Sequence, residues 1–198
     1  MTRKRGPGTL GVPFAGTARR VLRTNGTRVP PGCLFRLAIA DRQTSVRVSA
    51  ARLRRAVRAA LAGASLSRAH ISLALVDDRT IARLNRRFLG HRGPTDVLSF
   101  LLDEGPGRLE GEVVVSGETA RRQAARYGQT PEDELLLYVV HGVLHLAGYD
   151  DHSAPGRRRM TARQEEILGE ARNAKEAPNP KQQISNKPKA RRSNVPNG

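Results

Sequence analysis

The order of apolar and polar residues between positions 35 and 172 predicts a chain that alternates between strands and helices. Short apolar or alternating runs predict four strands, at residues 35–40, 70–78, 94–102 and 111–116. Apolar residues that recur every third or fourth position predict helices after Ser49 (50–64), from an Asp78 cap through Phe88, and over 118–127, 131–147 and 156–172. The polar segment 103–110, DEGPGRLE, predicts a loop between the last two strands.

The fourth predicted helix has the most clearly marked ends. Thr130 is placed to be its N-cap, Pro131 its first residue and Asp133 a weak capping-box partner. The helix then runs through ELLLYVVHGVLHLA and stops at Gly148, because glycine readily takes the left-handed conformation that ends helices.

Positive charge is concentrated at the two ends of the chain. The formal net charge is +17, of which residues 1–34 carry +7, residues 171–198 carry +6 and residues 35–170 carry +4. The ends are also rich in Pro, Gly, Asn and Lys, with too little apolar content to fold alone. We therefore expect a domain at 35–172 between disordered basic arms at 1–34 and 173–198. Such arms attract nucleic-acid phosphates, or are simply solvated; residues 1–34 can also reflect a start codon placed too early.

The remaining composition favours a cytoplasmic protein. No run of about 18 apolar residues is present, so no membrane-spanning helix and no membrane partner are expected. The basic N-terminus lacks the apolar segment of a signal peptide. The single cysteine, Cys33, cannot form an internal disulfide, and a reducing cytoplasm is the simplest setting.

Three of the five histidines lie within residues 141–152, HGVLHLAGYDDH. His141 and His145 are spaced i, i+4 on the predicted helix, so both project from one face and can reach one metal ion. His152 follows the Gly148 turn and can fold back as a third ligand. Three protein ligands with a fourth position open to water are typical of catalytic zinc, whereas structural sites usually include cysteines. The alternative is a pair of packed histidines with satisfied hydrogen bonds.

A zinc peptidase of the H-E-x-x-H type is disfavoured by the same helix. Such enzymes carry a glutamate base after the first histidine. Gly142 occupies that position, so any general base has to come from elsewhere.

Three blocks of the chain together resemble the YbeY endoribonucleases, the bacterial rRNA maturation factors. They are LNRRFLGHRGPTDVLSF (84–100), GEVVVSGETARRQAARYG (111–128) and HGVLHLAGYDDH (141–152). The resemblance implies an α+β fold, a small, mostly four-stranded mixed sheet packed with about five helices, with a zincin-like metal helix at 131–147. It also implies one Zn²⁺ per chain, bound by three histidines, and single-strand-specific cleavage of RNA in 16S rRNA 3′-end maturation and ribosome quality control. The implied partners are rRNA and the small ribosomal subunit, and ribosomal proteins or an assembly GTPase are further candidates.

Two positions depart from the family pattern. The family's third histidine aligns with Asp151, and His152 is one residue further on; we favour His152 as the third ligand because a turn can absorb one residue, with Asp151 as the alternative. The family arginine associated with RNA cleavage aligns with Leu89. Arg92, or otherwise Arg87, is the candidate catalytic cation.

Residues outside the ligand set have weaker assignments. Asp96, Ser99 and Glu112 lie in the resembling blocks, and a cap or turn role is favoured for Asp96. Asp150 or Asp151 can orient a ligand histidine.

For His70 and His91, a surface or packing role is favoured. Few aromatic residues are available for base stacking, so weak sequence specificity is expected. Two rival functions stay open: a zinc hydrolase of a non-RNA substrate, and a non-catalytic ribosome-binding module with a structural metal.

Overall fold

A computed structural model describes residues 33–176. The strands are β1 (Leu34–Asp41), β2 (Arg68–Val76), β3 (Val97–Gly105) and β4 (Arg108–Ser116). The helices are α1 (Ala50–Leu61), α2 (Asp78–Leu89), α3 (Gly117–Tyr127), α4 (Pro131–Leu146) and α5 (Ala154–Glu176). The predicted α+β class, with a four-stranded mixed sheet and five helices, is confirmed. The predictions for the basic arms lie outside the described residues, except that Leu34 lies in β1 and residues 173–176 lie in α5.

The four strands form one mixed sheet in the order β1-β2-β4-β3. β1, β2 and β4 are parallel, and β3 lies antiparallel to β4 at one edge. The larger core lies between one face of the sheet and helices α1, α4 and α5, where Ile71, Val113 and Leu144 are fully buried. A smaller cluster around Ile81 and Leu98 covers part of the other face beneath α2. Strand β3 thus lies at the edge of the sheet, where it borders both clusters.

The metal helix of the sequence analysis, α4, lies unusually close to the sheet. A Cβ atom built on Gly142 would come within 2.8–2.9 Å of Ser99, Val97 and Val113 side-chain atoms. The Ser99 hydroxyl donates a hydrogen bond of 3.1 Å to the Gly142 carbonyl. A glutamate at this position, as in the H-E-x-x-H metalloproteases, would collide with the sheet. Close packing therefore gives a physical reason for glycine here.

The ends of α4 are formed as the sequence predicts. The Thr130 hydroxyl accepts a hydrogen bond of 3.1 Å from the Asp133 amide, and Pro131 is the first helical residue. At the other end Ala147 is the C-cap and Gly148 has a φ of 90°. The Tyr149 amide donates to the Leu144 carbonyl at 3.0 Å, which turns the chain back toward the helix.

Two local predictions are wrong. The N-cap of α2 is Asp77, whose carboxylate accepts from the Thr80 amide, and not Asp78. Asp78 is already helical, and its carboxylate accepts hydrogen bonds from the side chains of Ser116, Thr119 and Arg122. Two adjacent aspartates offer the same capping group, and tertiary partners decide which of them is the cap.

The segment 103–110 is a β-hairpin and not a loop. β3 continues to Gly105 and β4 begins at Arg108, with a two-residue turn in which Gly107 has a φ of 70°. Asp103 and Arg108 form a solvent-exposed ion pair of 3.4 Å. Polar residues are tolerated because β3 is an edge strand with one side in water, so polarity here does not indicate a loop.

Candidate metal centre

The two helix-borne histidines face each other. The Nε2 atoms of His141 and His145 are 3.0 Å apart, and their ring centroids are 4.6 Å apart. Both side chains are half-buried on the face of α4 that points toward α5 and the turn after α4. The i, i+4 spacing predicted this arrangement.

Hydrogen bonds at the far side of each ring fix the tautomers. The Nδ1–H of His141 donates to the Gln164 side-chain oxygen at 2.7 Å. The Nδ1–H of His145 donates to the backbone carbonyl of Tyr149 at 3.2 Å. Because a neutral imidazole carries one N–H, both Nε2 atoms are left as acceptors. In these tautomers the two Nε2 atoms, 3.0 Å apart, cannot hydrogen-bond to each other, and a proton or a metal ion between them would satisfy both.

Burial keeps one of these imidazoles neutral. Removal from water, and next the proximity of His141, lower the pKa of His145 to about 4. A neutral imidazole at physiological pH has its Nε2 lone pair free for a metal ion.

A carboxylate completes the group from the turn after α4. Asp151 Oδ2 is 3.9 Å from His145 Nε2, and ligand atoms of His141, His145 and Asp151 all lie within 4.8 Å of one another. The Asp151 side chain is 17% exposed, against 13% for His145. Two imidazoles and one carboxylate are a donor set suited to a divalent transition metal. The residues present therefore fit a metal ion.

His152 is placed differently from the other predicted ligands. Its side chain is 60% exposed, and its Nε2 atom is 3.9 Å from Asp150 Oδ1. It belongs to a second group, with Asp150 and Asp151, whose ligand atoms also lie within 4.8 Å of one another. Among the described residues, the structure thus brings Asp151, and not His152, together with the two histidines of α4.

The turn that carries these residues is anchored at its end by the start of α5. The Ser153 hydroxyl accepts from the Gly156 amide at 3.1 Å. The Arg157 guanidinium donates to the backbone carbonyls of Asp151 and His152 at 2.8 and 2.9 Å. These contacts fix the backbone that presents Asp151 to the histidines.

The candidate catalytic cations lie in and beside the loop between α2 and β3. Arg92 is exposed, and so is Arg87, whose guanidinium lies 5.3 Å from the Phe88 ring centroid. Leu89, at the position of the family arginine, packs against the cluster beneath α2. The structure leaves the assignment of Arg92 a prediction.

The remaining singled-out residues have structural surroundings. The Asp96 carboxylate accepts from the Val97 amide and the Thr95 hydroxyl, each at 2.9 Å, as expected for a turn role. Glu112 is half-buried on β4. His70 lies 3.4 Å from Glu110 on the surface, and His91 is exposed in a loop.

Sequence reasoning did not identify Gln164 as part of the centre. Gln164 lies 23 residues after His141 on a different helix, and no spacing rule connects the two positions. Only the packing of α5 against α4 brings them together. The available signal was only general: metal-bound histidines usually donate their other N–H to an oxygen, so an oxygen-bearing partner was to be expected.

The fold and this site define a class: α+β domains with a candidate metal centre on one helix and the turn that follows it. Residues 38–172 match the family model described as Endoribonuclease YbeY. The chain therefore belongs to the YbeY endoribonuclease family, as the resemblance in the sequence indicated.

Curated relatives that are also named Endoribonuclease YbeY support this family assignment. The protein named Endoribonuclease YbeY from Moorella thermoacetica is 44% identical over 128 residues, covering 59% of this chain and 82% of the relative. That from Salinibacter ruber is 36% identical over 148 residues, covering 71% and 94%. The relative from Myxococcus xanthus is 46% identical over 119 residues, and the match covers 57% of this chain and 40% of the relative.

Among solved structures, TM1509 from Thermotoga maritima is 27% identical. The match covers 73% of this chain and 98% of that chain, with a TM-score of 0.47. In residues 33–176, no helix is long and apolar enough to span a membrane.

Proposed function

We propose that this protein is a zinc-dependent endoribonuclease that cleaves single-stranded RNA in 16S rRNA 3′-end maturation and ribosome quality control. The family supports an RNA-cleaving hydrolase that acts in rRNA processing and uses a metal. The observation that carries the proposal is the pair of acceptor Nε2 atoms 3.0 Å apart beside the Asp151 carboxylate. The cytoplasm is the proposed location. The small ribosomal subunit, ribosomal proteins and an assembly GTPase are the proposed partners.

The proposed ligands are His141, His145 and one residue of the turn. The distances favour Asp151, the alternative of the sequence analysis, over His152. When bound, zinc supplies Lewis acidity toward a phosphate oxygen and lowers the pKa of a water ligand toward about 7. Gln164 and the Tyr149 carbonyl hold the proton of each imidazole on Nδ1, so that both Nε2 atoms are directed at the site.

A cation near the site has to offset the charge that develops on the phosphate during cleavage. Arg92 is the proposed residue, since it is exposed on the loop that leads into β3. Arg92→Gln should then lower kcat for RNA and leave bound zinc unchanged. An unchanged kcat in that variant would remove Arg92 from the mechanism.

The test is metal content together with cleavage of an unstructured RNA by the full chain. About one zinc per chain and salt-sensitive cleavage are expected for the wild type. His145→Ala should remain folded by circular dichroism, lose the metal and stop cleaving. Stoichiometric zinc without RNA cleavage would leave a ribosome-binding module as the better account. Cleavage that persists after metal removal would contradict the metal assignment.

A further inference from the structure

The solvent face of α2 carries a stripe of arginines. Arg79, Arg83 and Arg87 recur every fourth residue, and all three are exposed. Residues spaced i, i+4 lie on one face of a helix, about 6 Å apart along its axis. The three guanidinium groups therefore form a row along one side of the domain.

No salt bridge within residues 33–176 neutralises this row. None of its arginines forms an ion pair there, although Arg83 donates to the Thr80 hydroxyl at 3.1 Å. One nearby acid is Asp77, whose pKa is lowered first by hydrogen bonds from Thr80 and then by Arg83 and Arg79. Like charges at i, i+4 destabilise a helix by a few tenths of a kcal/mol per pair. The row is thus not explained by the stability of α2.

Only Arg87 has a position on α2 that favours a positive charge. A cation in the last turn of a helix interacts well with the helix dipole. Arg79 lies in the first turn, where the dipole disfavours positive charge. The row as a whole therefore points to an anionic partner outside the domain.

An exposed aromatic ring lies next to the end of the row. Phe88 is 55% exposed although it contacts Phe100 edge-on, with ring centroids 5.2 Å apart. The Arg87 guanidinium lies 5.3 Å from the Phe88 centroid. An exposed aromatic ring beside cations is the combination on which unpaired bases stack, whereas a duplex keeps its bases stacked internally.

Strand β3 connects this surface to the candidate metal centre. Phe100 lies on β3 and contacts Phe88, while its neighbour Ser99 donates to the Gly142 carbonyl, one residue from His141. Side chains of adjacent strand residues point to opposite faces of a sheet. Within residues 33–176, β3 is an edge of the sheet. No further β-strand of these residues therefore lies between an RNA bound at Phe88 and the face that carries α4.

We propose that Arg79, Arg83, Arg87 and Phe88 form a binding surface for single-stranded RNA, with the arginines on phosphates and Phe88 beneath a base. The proposal rests on the proposed function, since it assigns the path of the same substrate. It goes beyond that function by naming a surface outside the metal centre, on the other face of the sheet.

The arginine row is tested by binding of the full chain to a short unstructured RNA, measured by fluorescence anisotropy across a salt series. A chelator is present throughout so that the probe is not cleaved. The variant replaces Arg79, Arg83 and Arg87 by Gln. The slope of log affinity against log salt should fall by about 2, because each phosphate contact on a single strand contributes roughly 0.7.

The matched control removes three arginines from α1. Arg54, Arg55 and Arg58 are also exposed, and their replacement by Gln changes the net charge by the same amount. The control should retain most of the affinity and slope. Equal losses in the two triple variants would show diffuse attraction to a basic protein, and the proposal would be abandoned.

The aromatic part is tested at Phe88 separately. Phe88→Ala should weaken RNA binding about 5-fold or more, as expected from the loss of one stacked base. Phe88→Tyr should restore binding and Phe88→Leu should not, because only the tyrosine keeps an aromatic face. Tyr127→Ala, which removes another exposed aromatic side chain, should have no effect. Full binding by Phe88→Leu would overturn the stacking assignment.

Failure of this surface and failure of the proposed function give different results. If the surface is wrong, the α2 variants bind RNA like the α1 control while the wild type still cleaves RNA with zinc. If the endoribonuclease function is wrong, the wild type does not cleave RNA in any condition, whatever the binding data show. Metal content should be the same in the wild type and in all α1 and α2 variants.

Discussion

The helix and the turn that together form the candidate metal centre present their ligands in different ways. On α4, His141 and His145 lie on a rigid helix packed against the sheet, and each ring is fixed by a hydrogen bond at Nδ1. On the turn, Asp150, Asp151 and His152 are consecutive residues, and the backbone path decides which of them faces the histidines. Ligands on a helix follow from spacing alone, whereas ligands on a turn follow from its conformation.

The largest expected effect distinguishes the two candidate ligands of the turn. Asp151→Ala should weaken zinc binding by more than the 10–100-fold that is typical of losing an outer-sphere partner, because it removes a ligand atom. His152→Ala should change zinc affinity by less than about 3-fold, since its ring is exposed and turned toward Asp150. Competition with a chromophoric chelator measures both affinities. The opposite ranking would make His152 the third ligand and would require the turn to rearrange on metal binding.

A second, smaller effect tests how the helix-borne ligands are oriented. Gln164→Ala removes the acceptor of His141 Nδ1–H and should lower zinc affinity about 10–100-fold. Gln164→Glu keeps an oxygen acceptor and should restore tight binding. The same chelator competition is the measurement, with thermal unfolding of the metal-free protein recorded alongside.

Gln129→Ala is the matched control for Gln164, because it also removes a glutamine whose oxygen accepts a hydrogen bond from α5. Its zinc affinity should equal that of the wild type. If Gln164→Ala lowers the unfolding temperature of the metal-free protein and leaves zinc affinity unchanged, Gln164 is a packing residue only.

The smallest effects concern the two glycines that shape the helix and the turn. Gly142→Ala should lower the free energy of unfolding by about 1–3 kcal/mol, because its Cβ would collide with the sheet. Gly148→Ala should cost about 1–2 kcal/mol for a different reason, since alanine disfavours a φ of 90°, although the added Cβ would meet no atom of the described residues within 4 Å beyond its chain neighbours. Urea denaturation measures both values.

Substitution by asparagine distinguishes the steric collision at Gly142 from the backbone strain at Gly148. Gly148→Asn should recover much of the stability, because asparagine tolerates the left-handed conformation at a helix end. Gly142→Asn should be worse than Gly142→Ala, since the larger side chain meets the same atoms of Ser99, Val97 and Val113. Equal recovery at both positions would show that the contact of α4 with the sheet is looser than the distances imply.

Much of the fold could be predicted because its signals are local. The N-cap at Thr130, the positive φ at Gly148 after the helix end and the apolar periodicity of α1 are short-range features, and the structure has each of them. The two errors arose where a tertiary partner competes with a local signal. The Asp78 carboxylate accepts hydrogen bonds from Ser116, Thr119 and Arg122. The polar segment 103–110 is stabilised by the pairing of β3 with β4 at the edge of the sheet.

The sequence by itself determined most of the elements and the family. It also placed His141 and His145 on one helical face, because a helix has a fixed 3.6-residue period. Only the tertiary structure decided which residue of the turn accompanies them, that Gln164 orients His141, and that Phe88 remains exposed beside Phe100. Those relations join segments separated by turns or by many residues. Their distances are therefore set by packing against the sheet and not by spacing along the chain.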